Sequence, residues 1–272
     1  MIDIVTPIYS LFFRNRVLVF LGKRIRKIPY FYPMKQEEIA QFYDEYVQRQ
    51  IKIGANERLI SLFKRMRTFG LKDHSKVLEL GSGVGIFTKL LSKKVSKGLI
   101  EAVDLSEKSI QVLQNELKGK KNITGNVGDV VKYQPENSDF DFITLMDVIE
   151  HIPLDQHEKL FENLAHIATE KTQILINIPN PQYIGYARIH HPESLQVIDQ
   201  EVELFPLMTY AEKFGLELVF FEKYGIWEEE DYHFMVFRKR RKFELKHLAE
   251  KRNVGEKIVK KVSSKMNEIK YK

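Results

Sequence analysis

Val77-Leu78-Glu79-Leu80-Gly81-Ser82-Gly83-Val84-Gly85 is an apolar run that meets three glycines at alternate positions. Val77, Leu78 and Leu80 predict a short buried strand, and Ile86, Phe87, Leu90 and Leu91 then recur at helical spacing. The order is strand, glycine turn, helix. In an open α/β sheet such a turn lies at the carboxyl edge, where ligands bind. Glycine suits it because it tolerates φ > 0 and lets a ligand approach the backbone closely. The spacing narrows the choice of ligand. A dinucleotide fingerprint, G-x-G-x-x-G, would need glycine at position 86, where Ile86 stands. A P-loop, G-x-x-x-x-G-K-[ST], is not supplied either.

Working outward, Gly98-Leu99-Ile100-Glu101-Ala102-Val103-Asp104 reads as a second strand that ends in an acid about 20 residues past the glycines. A nucleoside site needs a carboxylate there, because ribose hydroxyls are donors. Ser106 predicts an N-cap, and Ile110, Leu113 and Leu117 carry the helix behind it. A third strand from Ile123 leads to Gly128-Asp129-Val130. A fourth, Phe140–Met146, ends in Asp147-Val148-Ile149-Glu150-His151-Ile152. A fifth, Gln173–Ile178, closes on Pro179-Asn180-Pro181. Residues 179–205 show no periodicity and read as a long loop carrying Tyr183, Tyr186, Arg188, His190, His191 and Gln196; loops of that length are usually functional. Leu207, Tyr210, Ala211 and Phe214 predict a helix. Leu216–Phe221 and Asp231–Phe237 predict a closing strand pair around Trp227.

With these motifs in order over residues 76–237, the chain resembles the class I S-adenosylmethionine-dependent methyltransferases, and within them the ubiquinone-biosynthesis O-methyltransferase group. The resemblance implies an α/β fold: a doubly wound, seven-stranded Rossmann-like sheet with an antiparallel hairpin at one edge. It implies that Glu79, Gly81, Ser82, Gly83 and Gly85 hold the methionine end of the cosubstrate. Asp104 and Leu105 would lie at the ribose, Asp129 and Val130 at the adenine, and Met146 and Asp147 where cosubstrate and acceptor meet. Glu150, His151 and His191 are the candidate catalytic residues. Two mechanisms compete for them. In one, His151 is a general base oriented by a carboxylate. In the other, Asp147, Glu150, His151 and a later histidine hold a divalent metal ion. The sequence is also similar to the ribose 2′-O-methyltransferases of small RNAs, whose E-x-x-E-H metal pattern has a Glu where Asp147 stands here, so the metal stays unknown.

The 272 residues are 43% hydrophobic and 29% charged, with no cysteine; disulfides, a thiolate nucleophile and a Cys-ligated zinc are excluded. The net charge of +6 is unevenly spread: residues 1–35 carry +6, residues 238–272 carry +10, and the stretch between carries −10. An acidic core argues against a broad nucleic-acid surface. Four regions follow: a basic apolar segment over 1–35, a helical cap over 36–75, the cosubstrate-binding domain over 76–238, and a basic amphipathic helix over 239–272. In the cap, Tyr43, Tyr46 and Gln50 are candidate pocket residues or plain core. The apolar run Val17–Leu21 is too short to span a bilayer, and no signal-peptide pattern precedes it. The basic ends suit either an anionic membrane surface or packing on a partner. The expectation is a cytoplasmic enzyme, peripheral to the inner face of a membrane, that O-methylates a small-molecule, lipid-linked or glycan acceptor. An RNA ribose methyltransferase and a non-catalytic S-adenosylmethionine-binding module are the alternatives, and the oligomeric state stays open.

Overall fold

A computed structural model describes residues 12–13, 16–21, 24–27, 47, 50–196, 198–245 and 254–270. The expected pocket residues Tyr43 and Tyr46 lie outside the described residues. The chain divides into two units, Met1–Lys239 and Arg240–Lys272.

In the first unit, β1 (Phe12–Phe13), β2 (Arg16–Leu21) and β3 (Arg24–Lys27) form a three-stranded antiparallel sheet. Helix α1 (Glu57–Thr68) follows, capped by the Asn56 side chain, which accepts from the Leu59 N–H. The main sheet has seven strands in the order β6-β5-β4-β7-β8-β10-β9. These are β4 (Lys76–Leu80), β5 (Leu99–Asp104), β6 (Ile123–Val127), β7 (Phe142–Met146), β8 (Gln173–Pro179), β9 (Leu216–Tyr224) and β10 (Tyr232–Lys239). The first five are parallel, and β10 runs antiparallel to both β8 and β9. The expected doubly wound sheet with its edge hairpin is thus the observed one.

The helices between the strands are α2 (Ile86–Ser92), α3 (Glu107–Glu116), α4 (His157–Ile167), α5 (Pro181–His190) and α6 (Leu204–Lys213). Side chains alternate across a strand, so each central strand feeds two cores. Leu78 and Leu80 pack with Leu160, Phe161 and Leu164 of α4 and Leu207 of α6. Val77 faces the other way and packs with Leu62 and Met66 of α1 and Phe87 and Leu91 of α2. Buried parallel strands of this kind explain the near-continuous apolar run at 77–80.

From β4 the chain winds outward to β5 and β6, then crosses back to β7 and β8. The switch in direction falls between β4 and β7, and a crevice opens there at the carboxyl ends.

Helix α5 corrects one expectation. Residues 181–190 are helical, not loop. Asn180 caps the helix by accepting from the Gln182 N–H, and Pro181 sits at the first turn, where its missing N–H costs nothing. Its buried side chains are only Pro181, Ile184 and Ala187. That leaves no stripe wide enough for periodicity to register.

The second unit contains α7 (Val254–Lys270). Among the described residues no helix is long and apolar enough to cross a membrane.

Candidate active site

A cavity of about 630 Å³ occupies the switch point. One side of it is built from backbone. After β4 the chain turns through Gly81, Gly83 and Gly85 at φ values of +80°, +52° and +82°. A Cβ on Gly81 would lie 2.3 Å from Val148 Cγ2, so the glycine is required both by conformation and by the close passage of the β7 loop. The Gly83 N–H donates to Asp104 Oδ2 at 2.7 Å, and the Ser106 N–H donates to Asp104 Oδ1 at 2.9 Å. The strand-end aspartate of β5 therefore holds the glycine turn in place while lining the cavity. Asp129 Oδ1 accepts from the Val131 N–H at 3.0 Å, and Lys132 Nζ lies 3.6 Å from its Oδ2. Glu79 is buried, and its Oε2 has no hydrogen-bond partner. Burial pushes its carboxyl up to about 8, and nearby Asp104 adds to the rise. An unpaired carboxylate oxygen here is costly unless a ligand's donor or positive charge meets it.

The other side is built from side chains. Asp147 closes β7 at φ +58°, a conformation a non-glycine residue holds only under constraint. Its Oδ1 accepts from Asn177 Nδ2 at 2.7 Å, and its Oδ2 lies 2.9 Å from Arg58 Nε. Asn177 Oδ1 in turn accepts from the Tyr224 hydroxyl, and Arg58 Nη1 donates to the Tyr232 hydroxyl at 3.1 Å. Arg58 also lies over the Trp227 and Tyr232 rings. Burial works against the Arg58 charge, but Asp147 and Tyr232 outweigh it and raise its pKa. Burial likewise raises Asp147, with Arg58 pulling the other way.

A 3-10 turn over Ile149–His151 follows. His151 Nδ1 faces two acceptors, the Ile198 carbonyl and Asp199 Oδ1, the latter at 3.1 Å, so this nitrogen carries a proton. His151 Nε2 faces the Gln196 side-chain amide at 3.2 Å and Glu150 Oε1 at 3.8 Å. Burial would lower the pKa of the ring; the Glu150 charge and the Asp199 hydrogen bond outweigh it and lift the pKa to about 9. Burial pushes the Glu150 carboxyl up. Gln200 ties the same segment down: its N–H donates to the Glu150 carbonyl at 3.0 Å, and its side-chain amide donates to the Ile152 carbonyl.

Of the residues expected at the cosubstrate, Glu79, Gly81, Ser82, Gly83, Asp104, Leu105, Asp129, Val130, Met146 and Asp147 line this cavity. Gly85 does not; it begins α2, and a Cβ there would press on Leu113. Glu150 and His151 line the cavity. His191 stands exposed at the end of α5, outside the lining. His190 stacks on Tyr186, also at the surface. The donors for the metal alternative therefore do not converge. Asp147 is turned to Arg58 and Asn177, and His151 is turned to Asp199. Among the described residues no group of three or more His, Asp or Glu is placed to hold a metal ion.

Sequence reading missed Arg58, Asp199 and Tyr232. Arg58 looks like any charge on an amphipathic helix. Asp199 sits in an aperiodic stretch. Tyr232 reads as a strand residue.

Residues 43–253 match the family described as a methyltransferase domain. The chain belongs to that family, and its fold is that of the class I S-adenosylmethionine-dependent enzymes, so S-adenosylmethionine is the cosubstrate its glycine edge serves. It is similar to malonyl-[acyl-carrier protein] O-methyltransferase 1 of Ilyobacter polytropus, at 26% identity over 176 residues, 64% of this chain and 58% of that protein. It is similar to the ubiquinone biosynthesis O-methyltransferase of Coxiella burnetii, at 27% identity over 111 residues, 40% of this chain and 46% of that protein. The chain thus spans less than two thirds of either relative. Among solved structures, a DhpI–SAH complex aligns with a TM-score of 0.57 at 16% identity, covering 76% of this chain and 98% of that one.

The site fits the cosubstrate on its own chemistry. Glycines at positive φ leave room at the turn, Asp104 and Asp129 offer acceptors to hydroxyl and amino groups, and the unpaired Glu79 oxygen suits a cationic ligand.

Proposed function

We propose that this chain O-methylates a small-molecule, lipid-linked or glycan acceptor in the cytoplasm, with its basic ends at the inner face of a membrane. The observation that carries the oxygen-acceptor reading is the His151–Asp199 pair at the acceptor side of the cavity. When bound, S-adenosylmethionine supplies a methyl group already activated on a sulfonium. What the chain must add is alignment, exclusion of water and a place for the acceptor proton. Asp199 and the Ile198 carbonyl fix the proton on His151 Nδ1, which leaves Nε2 as the nitrogen that takes the proton from an acceptor hydroxyl. Gln196 occupies the position facing Nε2 and is the group an acceptor hydroxyl would displace. Glu150 supports the imidazolium that forms. Ile53, Tyr183, Ile184, Leu195 and Trp227 give the acceptor an apolar and aromatic surround.

The O-methyltransferase names of the relatives support the same choice. The test is transfer of a labelled methyl group from S-adenosylmethionine to small-molecule, lipid, glycan and RNA fractions, followed by base treatment of the product. Label in an ether or ester of a small molecule, lipid or glycan is the expected result. Label in RNA, or binding of S-adenosylmethionine without transfer to any fraction, overturns the reading.

A further inference from the structure

The second unit carries a helix with an exposed apolar stripe. Helix α7 presents Ile258, Val259, Val262 and Met266, with exposures from 54% to 68%. Four apolar side chains at that exposure on one helix are not a packed core. Their spacing places them together: Ile258, Val262 and Met266 follow at intervals of four, and Val259 widens the stripe. Lys257, Lys260, Lys261 and Lys265 alternate with them on the same helix.

Two kinds of occupant compete for such a face. A second copy of the helix would form a coiled coil, which needs apolar residues alternating at three and four to keep a straight seam. Val259, Val262 and Met266 meet that spacing over one heptad only, where a stable seam takes three or four, and lysines between the apolar positions of two facing copies would repel. An interface of lipid head groups makes neither demand. It accepts a broad apolar stripe at the acyl boundary and rewards flanking cations with anionic partners. Just upstream, Phe243 and Leu245 are also exposed, at 87% and 78%, beside the basic run that starts at Arg238.

We propose that α7 binds an anionic lipid surface, its apolar stripe at the head-group boundary and its lysines against the head-group charge. This names the element and the lipid chemistry behind the membrane location given above, and it does not depend on the acceptor. The test uses the full chain and vesicles of phosphatidylcholine, alone or with phosphatidylglycerol. The full chain should co-sediment with the phosphatidylglycerol vesicles at low salt, release at high salt, and ignore phosphatidylcholine alone. Reversing the four lysines (Lys257→Glu, Lys260→Glu, Lys261→Glu, Lys265→Glu) should weaken vesicle binding by about 10²-fold or more. Val262→Asp should weaken it while leaving the thermal shift with S-adenosylmethionine unchanged, which shows that the first unit is intact. Equal binding of the lysine variant and the wild type would assign the attachment to the other basic end and overturn the proposal. So would equal binding to both vesicle types. A Val262→Asp variant that changes the mass in solution but not vesicle binding would show that the face covers a second copy, and would overturn it too.

Discussion

The two halves of the cavity are made of different material. The half where the glycine turn lies is backbone: Gly81 and Gly83 at positive φ, held by the strand-end carboxylate Asp104. The half proposed for the acceptor is side chain: Arg58 from α1, Asp147 and His151 after β7, Tyr232 from β10, and Asp199 from the segment before α6. The first half leaves room for a ligand to approach the backbone closely. The second assembles from several separate places in the chain, joined by side-chain contacts such as the Arg58–Asp147 pair. One scaffold can in this way keep one donor and vary the acceptor.

The sharpest way to break the comparison is at a glycine. Gly81→Val places a branched side chain at φ +80° against Val148. Binding of S-adenosylmethionine should be abolished. At a ligand concentration of 100 Kd, binding contributes about 2.7 kcal/mol, and the thermal shift that goes with it should vanish. Asp104→Ala should do the same by releasing the Gly83 N–H. A retained shift in both variants would mean that the cosubstrate does not use this edge.

Changes in the acceptor half should do the reverse. His151→Ala should lower kcat by about 10²–10⁴-fold while the thermal shift with S-adenosylmethionine stays. A variant with normal kcat would reduce His151 to packing. A variant that also loses the thermal shift would show that the halves are not separate.

The difference also explains what was legible in the sequence. The glycine turn, Asp104 and Asp129 sit at strand ends whose order follows from alternating strand and helix patterns, so position along the chain gives position in space. His151 and Glu150 were found the same way, as the continuation of β7. Its partners were not. The His151 contact to residue 198 spans 47 positions, and nothing in an aperiodic stretch says which carboxylate returns to the ring. His191, a candidate catalytic residue in the sequence, is carried to the surface at the end of α5. That helix was itself missed because three buried positions in ten make no stripe.

A smaller effect tests the Asp199 assignment. The Glu150 charge and the Asp199 hydrogen bond hold His151 up to about 9, so the base is still protonated at neutral pH and kcat/KM should rise with pH toward that value. Asp199→Asn removes one source of the rise. The rising limb should move to lower pH, with a roughly tenfold loss of kcat as the ring loses its orientation. Asp199→Glu should restore the limb in part. A profile unmoved by Asp199→Asn would leave Asp199 as a mere tether of its segment.

The smallest effect concerns the cosubstrate half without its ligand. Glu79 is buried and its carboxyl sits near 8 in the fold, against an ordinary value of 4.5. The sign follows from linkage: the folded state resists ionisation, so the group costs no stability below about pH 4.5. The cost grows between pH 4.5 and 8, and it is complete above 8. His151 adds in the same direction, since a raised imidazole contributes stability that is lost as pH rises through about 9. The ligand-free protein should therefore melt lower at pH 9 than at pH 5.5. Glu79→Gln removes one part of that slope. It should raise the Tm by several degrees at pH 9 and by clearly less at pH 5.5. If the unpaired Glu79 oxygen is kept for a cationic ligand, the same substitution should weaken S-adenosylmethionine binding, a gain in stability against a loss in function. A Glu79→Gln protein with an unaltered pH slope would show that Glu79 is already paired in solution, and that this edge waits for its ligand through glycine geometry alone.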